Sequence, residues 1–121
     1  MPRPSQPLSS EKALQEQLCP TSVVYLNVGG CVYTTNLATL RNGDHFFDAL
    51  VRHSSPGTSA FFVDRDPAYF RHVLNWLRGS RSLPDDPSVL REHLEEADHF
   101  AMIDMRTAVA QRLAFPAPPN E

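Results

Sequence analysis

The chain has 121 residues, of which 41% are hydrophobic and 21% charged, and its formal net charge is −3. That length suits one domain and leaves no room for two independent cores. The mild acidity gives no electrostatic reason to bind nucleic acid or an anionic membrane, and no window approaches the ~20 apolar residues of a membrane span.

Residues 1–22 read as a disordered N-terminal tail. Pro2, Pro4 and Pro7 open it, and Glu11 to Leu18 offers at most a short helix capped by Ser10 and stopped by Pro20. Met1 to Gln17 holds no apolar run, so no secretory signal is expected and the default compartment is the cytoplasm. Cys19 and Cys31, the two cysteines, are expected as free thiols in that compartment.

The run Val23-Val24-Tyr25-Leu26-Asn27-Val28 is β-branched and aromatic and predicts a strand. Gly29-Gly30 follows, then Cys31 to Thr35 as a second strand; two glycines between strands predict a tight hairpin, because primed turns need positive φ. Asn36 is the expected cap of a short helix over Leu37 to Arg41, and Asn42-Gly43 breaks it. Asp44 is the expected cap of the next helix, which offers Phe46, Phe47, Leu50 and Val51 for burial. A loop from Ser54 to Ser59 leads to a third strand, Ala60 to Asp64.

Asp66-Pro67 and Asp86-Pro87 are helix starts, each an acceptor followed by proline at the first helical position. Phe70, Val73, Leu74 and Leu77 form the apolar stripe of the first of these helices, and Gly79 ends it. Leu90, Leu94, Ala97 and Ala101 form the stripe of the second. A last helix begins near Asp104 with Met105, Ala108, Val109 and Leu113 facing inward. The folded unit is expected over residues 23–113, with residues 114–121 a second disordered tail, since Pro116, Pro118 and Pro119 cannot continue a helix. Early strands and late helices give an α+β fold: a small three-stranded sheet with a helical shell.

No constellation points to catalysis or to a metal. His93 and His99 fall on different faces of one helix, and the lone Glu96-Ala97-Asp98-His99 lacks the second motif that a di-iron site requires. No Gly-x-Ser-x-Gly occurs, and Cys31 reads as a buried, inert strand thiol. Lys12, the sole lysine, lies outside any phosphate-loop pattern. The acidic run Glu92, Glu95, Glu96 and Asp98 reads as a solvated face. No enzyme activity and no cofactor are expected.

Five blocks stand in order: Val24 to Gly30, Thr35 to Arg41, Phe61 to Pro67, Phe70 to Arg78, and Leu94 to Asp98. Together they resemble the potassium-channel tetramerisation (T1) branch of the BTB/POZ family, which includes voltage-gated channel N-termini and the KCTD proteins. The resemblance covers about Val23 to Leu113. It implies a BTB/POZ (T1-type) fold and closed rings of four or five subunits, joined side to side by polar contacts. It places the turn Asp64-Arg65-Asp66 near the subunit boundary, with Asn27, Thr34, Thr35 and Arg41 as further candidates for that surface.

The chain departs from the family in two places. Channel-type members hold interfacial zinc, and neither Gly79 to Asp86 nor Met102 to Thr107 carries a ligand set, so no zinc is expected. Members that recruit cullin ligases carry two aromatics after the Glu-Ala-acid step, where this chain has His99 and Phe100. Phe46, Phe47, His99 and Phe100 are the candidates for a cullin-facing surface, and His99 weakens that case. The chain ends soon after the domain, with neither a channel nor a second domain in view. The expected function is a homo-oligomeric scaffold or adaptor in the cytoplasm. The alternatives are a cullin-ligase adaptor and a regulatory T1 fragment that co-assembles with other T1 proteins. The expected partners are copies of itself, other T1/BTB proteins or a cullin, with no nucleic acid and no membrane insertion.

Overall fold

The computed structural model describes residues 18–116. The expected helix from Glu11 lies outside the described residues apart from its last position, Leu18. Residues 19–22, assigned to the tail above, are tied to the fold. The Ser22 carbonyl accepts from the Leu37 amide and the Pro20 carbonyl from the Ala38 amide, both at 3.0 Å.

The described residues form an α+β unit with a three-stranded sheet in the order β2-β1-β3. Strand β1 (Val23–Val28) pairs antiparallel with β2 (Cys31–Asn36), from Val28 opposite Cys31 to Val23 opposite Asn36. It pairs parallel with β3 (Ala60–Val63), from Tyr25 opposite Ala60 to Val28 opposite Val63. Helices α1 (Leu37–Leu40) and α2 (Phe46–Arg52) fill the crossover between β2 and β3. A short 3-10 turn (Pro67–Tyr69) then leads into α3 (Phe70–Leu77), α4 (Pro87–His99) and α5 (Ile103–Ala114).

The caps explain most of these boundaries. Asn36, Asp66 and Asp86 accept from the amides of Thr39, Ala68 and Ser88, as their residue types predict. Helix α2 differs: His45, not Asp44, is its cap. His45 Nδ1 accepts from the Phe47 and Asp48 amides at 3.1 and 3.3 Å, and Nε2–H donates to the Asn42 carbonyl at 3.2 Å. The ring bridges two segments at once, while Asp44 stands one residue too early and stays exposed.

The C-termini of α3 and α4 close in the same way. Gly79 (φ +108°) lets its own amide reach the Trp76 carbonyl and the Ser80 amide reach Asn75. At the end of α4 the left-handed position is Ala101 (φ 56°), with the Ala101 amide on Asp98 and the Met102 amide on Ala97. Ala101 therefore leaves the expected stripe and is exposed, and Phe100 and Met102 enter the core around it.

The core lies between the inner sheet face and the helices. Val24, Leu26 and Val28 from β1 and Phe61 and Val63 from β3 meet the predicted α3 stripe, all buried. At its centre Phe47, Phe70 and Phe100, each fully buried, stack mutually with centroids 4.8–5.8 Å apart. On the edge strand β2 the inward side emerges toward the hairpin: Thr35 is buried, Tyr33 half-buried and Cys31 exposed. Cys31 is thus a free surface thiol and not the buried one expected.

Two backbone positions yield opposite predictions. A Cβ on Gly29 (φ +56°) would stand 2.3 Å from the Arg65 carbonyl oxygen. Gly29→Ala should cost upwards of about 2 kcal/mol, since an alanine there meets both left-handed strain and a backbone clash. Ala101→Gly removes such strain from an exposed cap and should stabilise by about 0.5–1 kcal/mol. Urea unfolding of the two variants checks both signs.

Candidate functional site

Strand alternation sends every second side chain to the face that the helices do not cover. In register, Val32, Asn27 and Phe62 form one row across β2, β1 and β3, and Thr34, Tyr25 and Ala60 the next, with Val23 beyond them. Phe62 and Val32 are each 62% exposed, Val23 50% and Tyr25 45%. These four account for most of the six large exposed hydrophobics among the described residues, the others being Ile103 and Phe115. Scattered exposed apolar residues are ordinary, whereas four on one sheet face make that face the candidate interaction surface.

The sequence candidates sort out against this face. Asn27 and Thr34 lie on it. Asn27 is partly committed to the hairpin, its Oδ1 accepting from the Gly30 amide at 2.8 Å. Thr34 is exposed, and its carbonyl accepts from Arg78 at 2.6 Å. Thr35 points the other way and is buried, because neighbours on a strand face opposite sides. Arg41 is exposed but belongs elsewhere: it pairs with Asp48 at 3.1 Å and borders a cavity of about 340 Å³ with Leu18, Val51 and Phe61. Asp48 also holds Arg52 at 2.9 Å, and Arg52 and then Arg41 keep its carboxyl below the ordinary carboxylate range.

The turn after β3 is held from both sides. Gly29 packs its bare Cα against the Arg65 carbonyl, its amide donates to the Val63 carbonyl at 3.0 Å, and the Tyr33 hydroxyl donates to the Pro67 carbonyl at 3.3 Å. Asp64 is exposed and Asp66 serves as the cap. Arg65 turns inward. Its guanidinium pairs with Glu96 of α4, the two side chains keeping 26% and 10% exposure, and lies 5.8 Å from the Phe100 ring centre. Arg65 thus finds an acidic partner within its own chain, and Glu96 leaves the solvated acidic face on which it was expected. Arg65 Nε and Glu96 Oε1 are buried and find no partner among the described residues.

The four cullin-facing candidates do come together. The Phe46 amide donates to the Phe100 carbonyl at 3.0 Å, and Phe46 lies 5.2 Å from Phe47 and 6.4 Å from His99 between ring centres. Phe47 and Phe100 are fully buried, so they belong to the core and offer a partner no surface; Phe46 is half-buried and His99 exposed. No cluster of three or more potential metal ligands occurs among the described residues. No helix among them is long and apolar enough to cross a membrane.

The BTB/POZ domain family model matches residues 24–108, nearly all of the described fold. The chain belongs to the BTB/POZ family, in its potassium-channel tetramerisation branch. It is 37% identical over 97 residues to the BTB/POZ domain-containing protein KCTD14 of Homo sapiens, covering 75% of this chain and 34% of that protein. It is 36% identical over 100 residues to the FH protein interacting protein FIP2 of Arabidopsis thaliana, covering 74% of this chain and 32% of that protein. The chain therefore spans about a third of the length of these curated relatives. BTB/POZ domains are protein-interaction and oligomerisation modules, and this chain is one of them.

Sequence reasoning missed Val23, Tyr25, Val32 and Phe62 as surface residues of this BTB/POZ domain. The signal was the period-two alternation, whose phase the sequence leaves open because both faces of β1 are apolar. The Arg65–Glu96 pair gives a direct test of the turn. Removing one partner strands a buried charge, so Arg65→Met or Glu96→Leu alone should destabilise by about 2 kcal/mol, discounted for the partial exposure of Arg65. The double variant should recover much of that loss. Thermal or urea unfolding of the three variants reads the cycle.

Proposed function

We propose that this BTB/POZ domain assembles with copies of itself into a closed ring of four or five subunits and serves as a cytoplasmic scaffold or adaptor. The open sheet face, with the Asp64-Arg65-Asp66 turn at its border, forms one side of each contact. The observation that carries this reading is the row Val32, Asn27 and Phe62 with Tyr25 and Val23 beside it, an apolar patch in a chain of an oligomerising family. A head-to-tail contact between unlike patches closes by rotation into a ring. Asp64 and Thr34 supply polar groups at the margin of the apolar centre, the arrangement typical of stable interfaces.

The partner set follows from the same surface: copies of this chain, and T1 domains close enough to offer a matching patch. That one relative is named for interacting with another protein supports an adaptor role. Cullin recruitment stays outside this reading. With Phe47 and Phe100 in the core, only Phe46 and the imidazole of His99 remain to meet a cullin, and an imidazole brings polar nitrogens that need partners once water is excluded.

The experiment is native mass spectrometry of the wild type and Phe62→Glu at micromolar concentration. Burying a phenylalanine contributes about 2 kcal/mol, so replacing it by a charge should weaken each contact by at least about 30-fold. The expected result is a ring of four or five for the wild type and monomer for the variant, with unchanged circular dichroism. A monomeric wild type overturns the assembly, and a variant that remains a full ring overturns this surface.

A further inference from the structure

His72 on α3 and His93 on α4 face each other with ring centres 4.4 Å apart and planes 40° apart. His93 is 1% exposed. Its Nδ1–H donates to the Val89 carbonyl one turn back at 2.9 Å, which leaves the lone pair of the neutral ring on Nε2. That atom is buried and has no partner among the described residues. The Tyr69 ring lies 5.6 Å from His93. Below the pair is a cavity of about 400 Å³ lined by Arg71, Asn75, Ser82 and, from α5, Met105. The assembly surface does not include this pair.

We propose that His72 and His93 form an acid-operated latch. Neutral, they hold α4 on α3; protonated, they drive the two helices apart and loosen the turn that borders the assembly surface. The proposal rests on the reading above only for the assembly consequence. A proton on His93 Nε2 places a charge where no acceptor waits. A second proton on His72 sets like charges face to face, and Arg71 adds a third positive group beside them. Among the described residues Glu96, one turn along α4, is the one opposing charge that acts on His93, and it is already engaged by Arg65. Tyr69 from the 3-10 turn and Met105 from α5 carry no charge to offset the pair. Burial, then His93 and Arg71, lower the pKa of His72; burial lowers that of His93 against the opposing pull of Val89 and Glu96.

The sign follows directly. The folded state prefers both rings neutral, while in the unfolded chain they take up protons near pH 6.5. Their contribution to stability is whole above that pH and is lost as pH falls below it. Because Glu96 and His93 share one face of α4, a shift of that helix carries Glu96 away from Arg65.

The test is urea unfolding of the wild type and of the His72→Gln/His93→Gln double variant at about pH 7.5 and about pH 5.5. Between these, the wild-type unfolding constant should rise by up to about tenfold per histidine beyond the rise in the double variant. Equal losses in both proteins overturn the latch. Ring-proton NMR titration of the wild type needs no variant: both midpoints should lie below the ordinary histidine value, and a midpoint at or above it overturns the proposal. Amide exchange at Gly29 reads the turn; its protection factor, corrected for the intrinsic slowing of exchange in acid, should fall more in the wild type than in the double variant, and equal change overturns the link to the turn. If the wild type is already monomeric at neutral pH, the assembly reading fails, yet these three readouts still decide the latch.

Discussion

A three-stranded sheet has two faces, and the helices of this domain cover one of them. Val24, Leu26 and Val28 turn inward to meet α3 and the aromatic centre, so strand geometry leaves Val23 and Tyr25 outside. β3 repeats the division, with Phe61 and Val63 in and Phe62 out. Among the described residues no further layer lies over the outer face, where Val32 and Phe62 are each 62% exposed. The apolar side chains there remain in water until another surface covers them, and the hydrophobic effect favours that cover. Self-assembly is the cover that family membership supports.

The margin of that face is rigid for reasons that lie behind it. Gly29 admits the Arg65 carbonyl because it has no Cβ, and Arg65 reaches down to Glu96 and over Phe100. The hairpin, the turn after β3 and helix α4 therefore share one junction. A partly buried ion pair with orphaned atoms is a costly way to gain stability. Its value here is geometric: it sets where Asp64 and Asp66 stand. Phe100 serves the same junction from the core, which is why an aromatic that resembled a partner-facing residue is wholly buried.

Much of the fold was legible in the residues. Proline after an acidic cap marked α4 and the 3-10 entry to α3, paired glycines marked the hairpin, and the stripe Phe70, Val73, Leu74 and Leu77 marked the buried side of α3. The misread positions turn on three-dimensional placement that residue type does not announce. His45 caps α2 because its ring also bridges back to Asn42, a geometry that composition does not announce. Glu96 leaves the acidic face only because Arg65 waits beneath it. Cys31 is exposed because the helices stop short of the hairpin end of β2. Thr35 and Thr34 differ by one position and so by one face, and the choice between them is a matter of register. Of the residues on or beside the face proposed for assembly, Asn27, Thr34 and Asp64 are those the family pattern names. Its apolar centre emerged once the outward phase of the strands was known.

Hydroxyl-radical footprinting of the assembled protein tests the central claim, that the outer sheet face is the buried one. Tyr25 and Phe62 should be protected in the assembly and become reactive on dilution to the monomer, while Phe115, 79% exposed in the single chain, should react throughout. Reaction of Phe62 in the assembly as ready as that of Phe115 would contradict the account.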